Sequence, residues 1–164
     1  MQERPVTVYA GLGHVERFPD YWEIISDKES ATSLSAFGTD PEKNTQLDVG
    51  LIQRGAKVST SVSLFYNDIE DYILIESNVR KGMRMATIAR NVDATTWGGE
   101  AGLSYTIATN WKTDLTLAYT RGENDTDDHA LAQQSPLEGR WSLNYDNGTW
   151  SAGALVRLVD DQDR

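Results

Sequence analysis

His14 and His129 are the only imidazoles in a chain of 164 residues, and no cysteine accompanies them. Imidazole beside carboxylate is a donor set for divalent metals. His14 has Glu16 and Asp20 nearby in sequence, and His129 follows the acidic run Glu123, Asp125, Asp127 and Asp128. Both histidines are therefore candidate contacts for a metal ion or metal chelate, with solvated loop residues as the simpler account. Met83 and Met85 form Met-x-Met, a soft thioether pair suited to Cu(I). Their position, where a polar loop should give way to a strand, favours plain packing instead. The acidic run could attract cations, but it lacks the glycine and closing glutamate of an EF-hand loop, so a solvated loop is expected. Asp68, Glu70 and Asp71 offer the paired carboxylates of a hydrolase, yet they sit where a strand should turn into a polar rim. No Gly-x-Ser-x-Gly elbow is present. Gly11-Leu12-Gly13 lacks the further glycine and the following helix of a phosphate loop. No catalytic residue and no cofactor are expected.

The elements that carry these residues read as strands. Val58, Thr60, Val62, Leu64 and Tyr66 alternate with Ser59, Ser61 and Ser63. Trp97, Ala101, Leu103, Tyr105 and Ile107 alternate with Gly98, Glu100, Gly102, Ser104 and Thr106. The same period of two returns at Leu115-Leu117-Tyr119, at Trp141-Leu143-Tyr145 and from Trp150 to Leu158. Sustained alternation marks strands with one apolar face. About seven are predicted, near 4–14, 43–54, 57–76, 85–109, 112–121, 138–146 and 149–159. Tight turns are expected at Arg54-Gly55-Ala56, Thr109-Asn110-Trp111 and Asp146-Asn147-Gly148, the last carrying the Asn-Gly hairpin signal. Longer polar breaks fall near 77–84 and 122–137, and a long region near 19–40 includes a candidate short helix at DYWEII.

Tight turns alternating with long loops are the rhythm of an outer-membrane barrel. No stretch approaches the ~18–20 apolar residues of a membrane helix, but a spanning strand shows lipid only every second side chain. Trp111, Tyr145 and Trp150 lie beside the tight turns, with Tyr119 and Trp141 towards the other strand ends, so the outward register carries two aromatic belts. A soluble β-sandwich, with these rings as its core, is the competing account. The net charge of −10 argues against a nucleic-acid groove. The N-terminus, MQERPVTVYA, lacks the apolar core of a signal peptide, so an export signal is expected upstream.

Several stretches resemble the barrel of TonB-dependent outer-membrane receptors. Asn91-Val92-Asp93 followed by Gly98-Gly99-Glu100 and Tyr105 is similar to one strand start of that family. Pro41-Glu42-Lys43 with Gln46, Val49 and Gly50 resembles another, and Phe65 through Ile73 resembles the strand after it. Pro136, Gly139, Tyr145 and Trp150 resemble a later strand pair, and Arg17 through Glu23 looks most like the copper-receptor branch. The resemblance implies an all-β fold: residues 1–164 as a segment of a larger antiparallel transmembrane β-barrel, with the plug domain and C-terminal strands not included. It implies a bacterial outer-membrane receptor, not an enzyme, for uptake of a metal ion or metal chelate, copper favoured, driven by proton-motive force. Implied partners are outer-membrane lipid, lipopolysaccharide bridged by divalent ions to the acidic loop, the receptor's own plug, and the TonB complex through it. Another outer-membrane barrel, porin or adhesin, and a soluble β-rich binding module remain the alternatives. The chain departs from the family in showing neither plug nor TonB box, and in lacking the terminal aromatic strand. No motif of soft or imidazole ligands from the copper branch can be matched to positions here.

Overall fold

A computed structural model describes residues 6–24, 36–132 and 134–161. The strands are β1 (Val6–Arg17), β2 (Glu42–Arg54), β3 (Val58–Lys81), β4 (Arg84–Ala108), β5 (Trp111–Asn124), the two-residue β6 (His129–Ala130), β7 (Glu138–Asp146) and β8 (Ser151–Val159). One short helix, α1 (Tyr21–Ile24), lies between β1 and β2. The strands form one antiparallel sheet in the order β1-β2-β3-β4-β5-β7-β8, with β6 paired to the outer end of β5. Each long strand thus pairs with its sequence neighbour, as the seven-strand reading expects. All three tight turns fall at one end.

The register fixes the faces. Leu51, Val62, Ala101, Leu117 and Gly139 lie in one row across β2 to β7, and Val49, Leu64, Gly99 and Tyr119 in the next. Gly50, Ser63, Glu100, Ala118 and Glu138 form the row between them, on the opposite face. Along β2 the apolar side chains are the exposed ones: Leu47 is 47% and Leu51 37% exposed, while Gln46, Asp48 and Gly50 between them are half-buried. A soluble sheet would bury its apolar face. Here the apolar face is convex and bare, and the polar face is concave, as a barrel wall requires.

Aromatic pairs mark both edges of the bare band. Trp97 packs against Tyr119 with ring centroids 5.5 Å apart, and Trp111 against Tyr145 at 4.9 Å. Trp111 sits opposite Ala108 on β4. From Trp97 to Ala108 is roughly 36 Å of strand at ~3.3 Å per residue. A tilt of about 45° turns that into roughly 26 Å of height, close to the apolar band of an outer-membrane barrel. Trp141 keeps the outward register but not the level expected for it. It pairs with Leu115, inside the band, and its indole nitrogen donates to Thr113 Oγ1 at 2.9 Å.

Two expectations are corrected at the outer end. The polar break near 77–84 is not a loop. β3 and β4 run through it as a hairpin closed by Gly82 (φ +65°) and Met83, making these strands 24 and 25 residues long. Backbone pairing is indifferent to the polarity of Arg80 and Lys81, and Ser77 and Asn78 are accommodated in a register shift between Glu76 and Val79. The break near 122–137 is shorter than predicted, because β5 continues to Asn124 and β6 folds back on it. The predicted helix forms over Tyr21–Ile24, with Asp20 at its start: Glu23 Oε2 accepts from Asp20 N at 2.7 Å, half of a capping box. The rest of DYWEII lies outside the described residues.

Candidate functional site: the outer end of the wall

Above the Trp97–Tyr119 belt the molecule acquires an interior. Ile69, Ile73, Ala86, Val92, Ala94 and Leu131 are the buried hydrophobics among the described residues, and all belong to the outer reach of β3 and β4 or the loop after β6. Leu131 folds onto Ile69 and Ala94, with Tyr72 beside them. The loop between β5 and β7 therefore caps the wall.

A bulge starts this region. The β3–β4 register shifts between Ile69 and Tyr72, and Asp71 takes φ +58°. Asn91 holds the bulge in place: its Nδ2 donates to Asp71 O at 2.6 Å and to Asp40 O at 3.0 Å, while its Oδ1 accepts from Asp40 N at 2.8 Å. Asp93 carries the same job to the other side. Its Oδ1 accepts from Asp71 N at 3.4 Å, its backbone nitrogen donates to Thr126 Oγ1, and its carbonyl accepts from Asp125 N. Asn91-Val92-Asp93 is thus a staple joining the start of β2, the bulge and the capping loop, around a buried Val92.

The acidic run is spent on this architecture. Asp127 pairs with Arg90, which also donates to Glu76 Oε2 at 2.7 Å. The hydrogen bonds from Arg90 lower the carboxyl pKa of both Glu76 and Asp127, Asn124 adding to the effect at Asp127, and the two carboxylates raise that of Arg90. Asp125 accepts from Thr95 Oγ1 at 2.6 Å, and Glu123 pairs with Arg121. Asn124, 5% exposed, donates to Asp127 and accepts from the Thr126 and Asp127 backbone nitrogens. The loop expected to be merely solvated is an ordered cap in which Glu123, Asp125 and Asp127 have partners of their own.

The sequence from residue 4 to 164 matches the profile of the TonB dependent receptor-like β-barrel family. The chain belongs to that family. Among solved structures it is similar over its whole length to the "Copper transporter OprC", at 48% identity and TM-score 0.87, covering 25% of that chain. It is also similar in fold to the FrpB iron transporter from Neisseria meningitidis (18% identity, TM-score 0.68, covering 96% of this chain and 25% of that one). The siderophore receptor PirA from Pseudomonas aeruginosa follows at 14% identity and TM-score 0.67, with 96% and 28% covered. The chain spans about a quarter of the length of these relatives. Among curated proteins no sequence matches. The soluble-module, porin and adhesin alternatives give way to a TonB-dependent receptor barrel.

Within that barrel the two histidines are far apart in the sheet order. His14 lies inside β1, which runs past the predicted strand end near residue 14 to Arg17. It pairs with Thr45 on β2, its Nδ1 3.0 Å from Thr45 Oγ1 and its Nε2 4.0 Å from Glu16 Oε1. His129 lies in β6, beyond the outer part of β5, with Nδ1 3.0 Å from Asp128 O. Strands β2 to β5 separate them. Among the described residues no three histidine, aspartate or glutamate side chains converge as a metal cluster. Glu70 and Asp71 face Lys43, at 3.9 and 3.4 Å, which makes them rim ion pairs. Met83 and Met85 do not pack as expected: Met83 is fully exposed at the hairpin tip and Met85 half-exposed.

Arg17 gives the copper-branch stretch a physical role. Its guanidinium donates to Glu23 on α1 at 3.0 Å and to Glu42 on β2 at 3.2 Å, tying both ends of the β1–β2 connection together. Sequence reading missed this clasp and the Asn91 staple, because both depend on partners more than five residues away. The signal available was the asparagine and arginine themselves, polar groups placed where a strand leaves the membrane.

Proposed function

We propose that the chain is part of the barrel wall of an outer-membrane receptor that imports copper, as an ion or a chelate, in a TonB-dependent and proton-motive-force-coupled manner. The observation that carries this is the whole-chain similarity to the "Copper transporter OprC" at 48% identity. The wall's part in transport is to span the lipid with its bare apolar face and to offer a polar concave face to a plug. β1 and β8 each leave one edge unpaired among the described strands. An unpaired edge is untenable in lipid, so further strands of the same receptor close the barrel there. The plug then couples to the TonB complex, and the acidic cap stands at the lipopolysaccharide level. His14 and His129 remain candidate outer contacts for the metal or chelate. His129, on the capping loop, is better placed than His14, which shares the outward register of β1.

The test is copper accumulation by cells carrying the complete receptor. Uptake should stop when TonB is removed or the proton gradient collapses. Uptake that persists without either, or competition by an iron chelate with no response to copper, would sink the reading.

A further inference from the structure

We propose that the convex face of the wall holds one lipid A molecule of the outer leaflet at a fixed site, its phosphate on Arg121, its sugar against Trp97 and Tyr119, and one acyl chain in a furrow below them. The inference rests on the outer-membrane reading above and not on copper. Two outward rows make the furrow: Leu64, Gly99 and Tyr119, then Val62, Ala101 and Leu117. Each runs large, small, large across β3, β4 and β5. The small middle members leave an apolar hollow of about 260 Å³ along β4, with Leu137 on its far side. Its floor is fixed. A Cβ at Gly99 would lie 2.8 Å from Ser63 O, so nothing larger than glycine fits there without moving the β3 backbone. A saturated chain fills such a hollow by van der Waals contact. Lipid is already the solvent of this face, so the furrow continues an interface the wall has in any case.

The furrow opens at the outer belt. The Trp97 and Tyr119 rings, 5.5 Å apart, stand at its mouth, at the level of lipid headgroups. Arg121 lies opposite Trp97 and shares the outward register of Leu117 and Tyr119. Glu123 accepts from its Nε at 2.7 Å and from its Nη2, and the Tyr119 hydroxyl is beside it. A guanidinium has five N–H donors, so capacity remains for a phosphate, the anion that its planar fork matches. A cation, two aromatic faces and an apolar slot therefore follow one another down β4 and β5. Phosphate, sugar ring and acyl chain follow one another in the same order down a phosphorylated glycolipid. A phospholipid supplies the phosphate and the chain but no sugar for the rings. The tight turns lie at the opposite end of the strands, so the leaflet that Arg121 meets is the outer one.

Native mass spectrometry tests this on the complete receptor, stripped of lipid in detergent and titrated with hexa-acylated lipid A. The first lipid A should bind about tenfold more tightly than those that follow, and than dephosphorylated lipid A or phosphatidylglycerol. Arg121→Gln should weaken that first binding about tenfold, and Arg121→Lys by less, because the charge stays while the fork is lost. Ala101→Leu should fill the furrow and weaken it several-fold with the phosphate contact intact. Both positions face lipid or headgroups, so these variants should fold, and an unchanged melting midpoint checks it. Should Ala101→Leu fail to assemble, Ala101→Val fills the furrow less. Equal successive affinities, equal binding of phosphatidylglycerol, or full affinity in a folded Arg121→Gln or furrow-filled variant would overturn the site. Fractionation and copper uptake keep the readings apart. A receptor found outside the outer membrane defeats the reading beneath this one. Copper uptake without a preferred lipid A defeats the lipid site alone, and absent uptake defeats the copper assignment and leaves the lipid titration to judge the furrow.

Discussion

β3 and β4 are continuous from the inner turns to the hairpin tip, yet their two halves are held by opposite means. Below the Trp97–Tyr119 belt, no hydrophobic side chain among the described residues is buried. Strand register holds that half together, and lipid must supply the missing contacts. Above the belt, Ile69, Val92, Ala94 and Leu131 form a small protein interior, and Asn91, Asn124 and Arg90 lock it with hydrogen bonds. One pair of strands thus shows both a membrane-protein and a soluble-protein solution to burial. The Trp97–Tyr119 belt divides them.

The largest expected effect breaks the lower half. In the complete receptor, Leu103→Arg should cost about 2–4 kcal/mol of folding free energy in a bilayer, because Leu103 faces outward within the band. Ser104→Arg faces the concave side and should cost much less. Equal costs in a refolding titration would mean that the faces are misassigned. Gly98→Ala comes next. A Cβ at Gly98 would overlap the Tyr119 carbonyl and the Phe65 ring, and overpacking of this kind costs typically about 1–3 kcal/mol. Denaturant unfolding of the same receptor measures it, and a neutral result would show that β4 shifts freely at the belt.

The upper half should fail locally. Asn124→Ala leaves the Thr126 and Asp127 nitrogens without their acceptor, at about 1–3 kcal/mol. Hydrogen exchange should rise across residues 124–132 while the band stays protected. Uniform exchange along the whole hairpin would show that the halves are one cooperative unit. The smallest effect is electrostatic. Glu76 and Asp127 have lowered folded pKa values through Arg90, so their contribution is present above the unfolded carboxylate range and is lost as pH falls through the folded values. Cap protection should therefore weaken below about pH 4, with little change between about pH 5 and 8. Protection that drops between about pH 6 and 7 would overturn the assignment to these carboxylates.

The lower half was legible in the sequence because lipid imposes one rule on every second residue. Val62, Leu64, Leu103 and Leu117 obey it without exception, and the tight turns at Gly55, Asn110 and Gly148 set the register. The upper half follows no such rule. Arg80 and Lys81 look like loop residues, yet their backbones pair with Met85 and Arg84, and Ser77 and Asn78 are taken up in a bulge. The run Glu123 to Asp128 looks like free charge until Arg90, Thr95 and Arg121 are brought beside it. Met83 and Met85 were expected to pack, but a hairpin tip has nothing to pack against. The candidate site was legible only as a list of residue types. His14 and His129 are as exposed as expected, but sequence spacing hid the fact that β2 to β5 stand between them.

The strict neighbour-to-neighbour order of the sheet also describes how such a wall can change over generations. A strand entering from outside always lies beside one leaving from within. Deleting β3 and β4 together would bring β2 against β5 still antiparallel, with outward residues still outward. Deleting β3 alone would set β2 and β4 parallel and strand a loop in the lipid. The unit of inheritance is therefore the hairpin, and walls of this kind grow or shrink by two strands at a time.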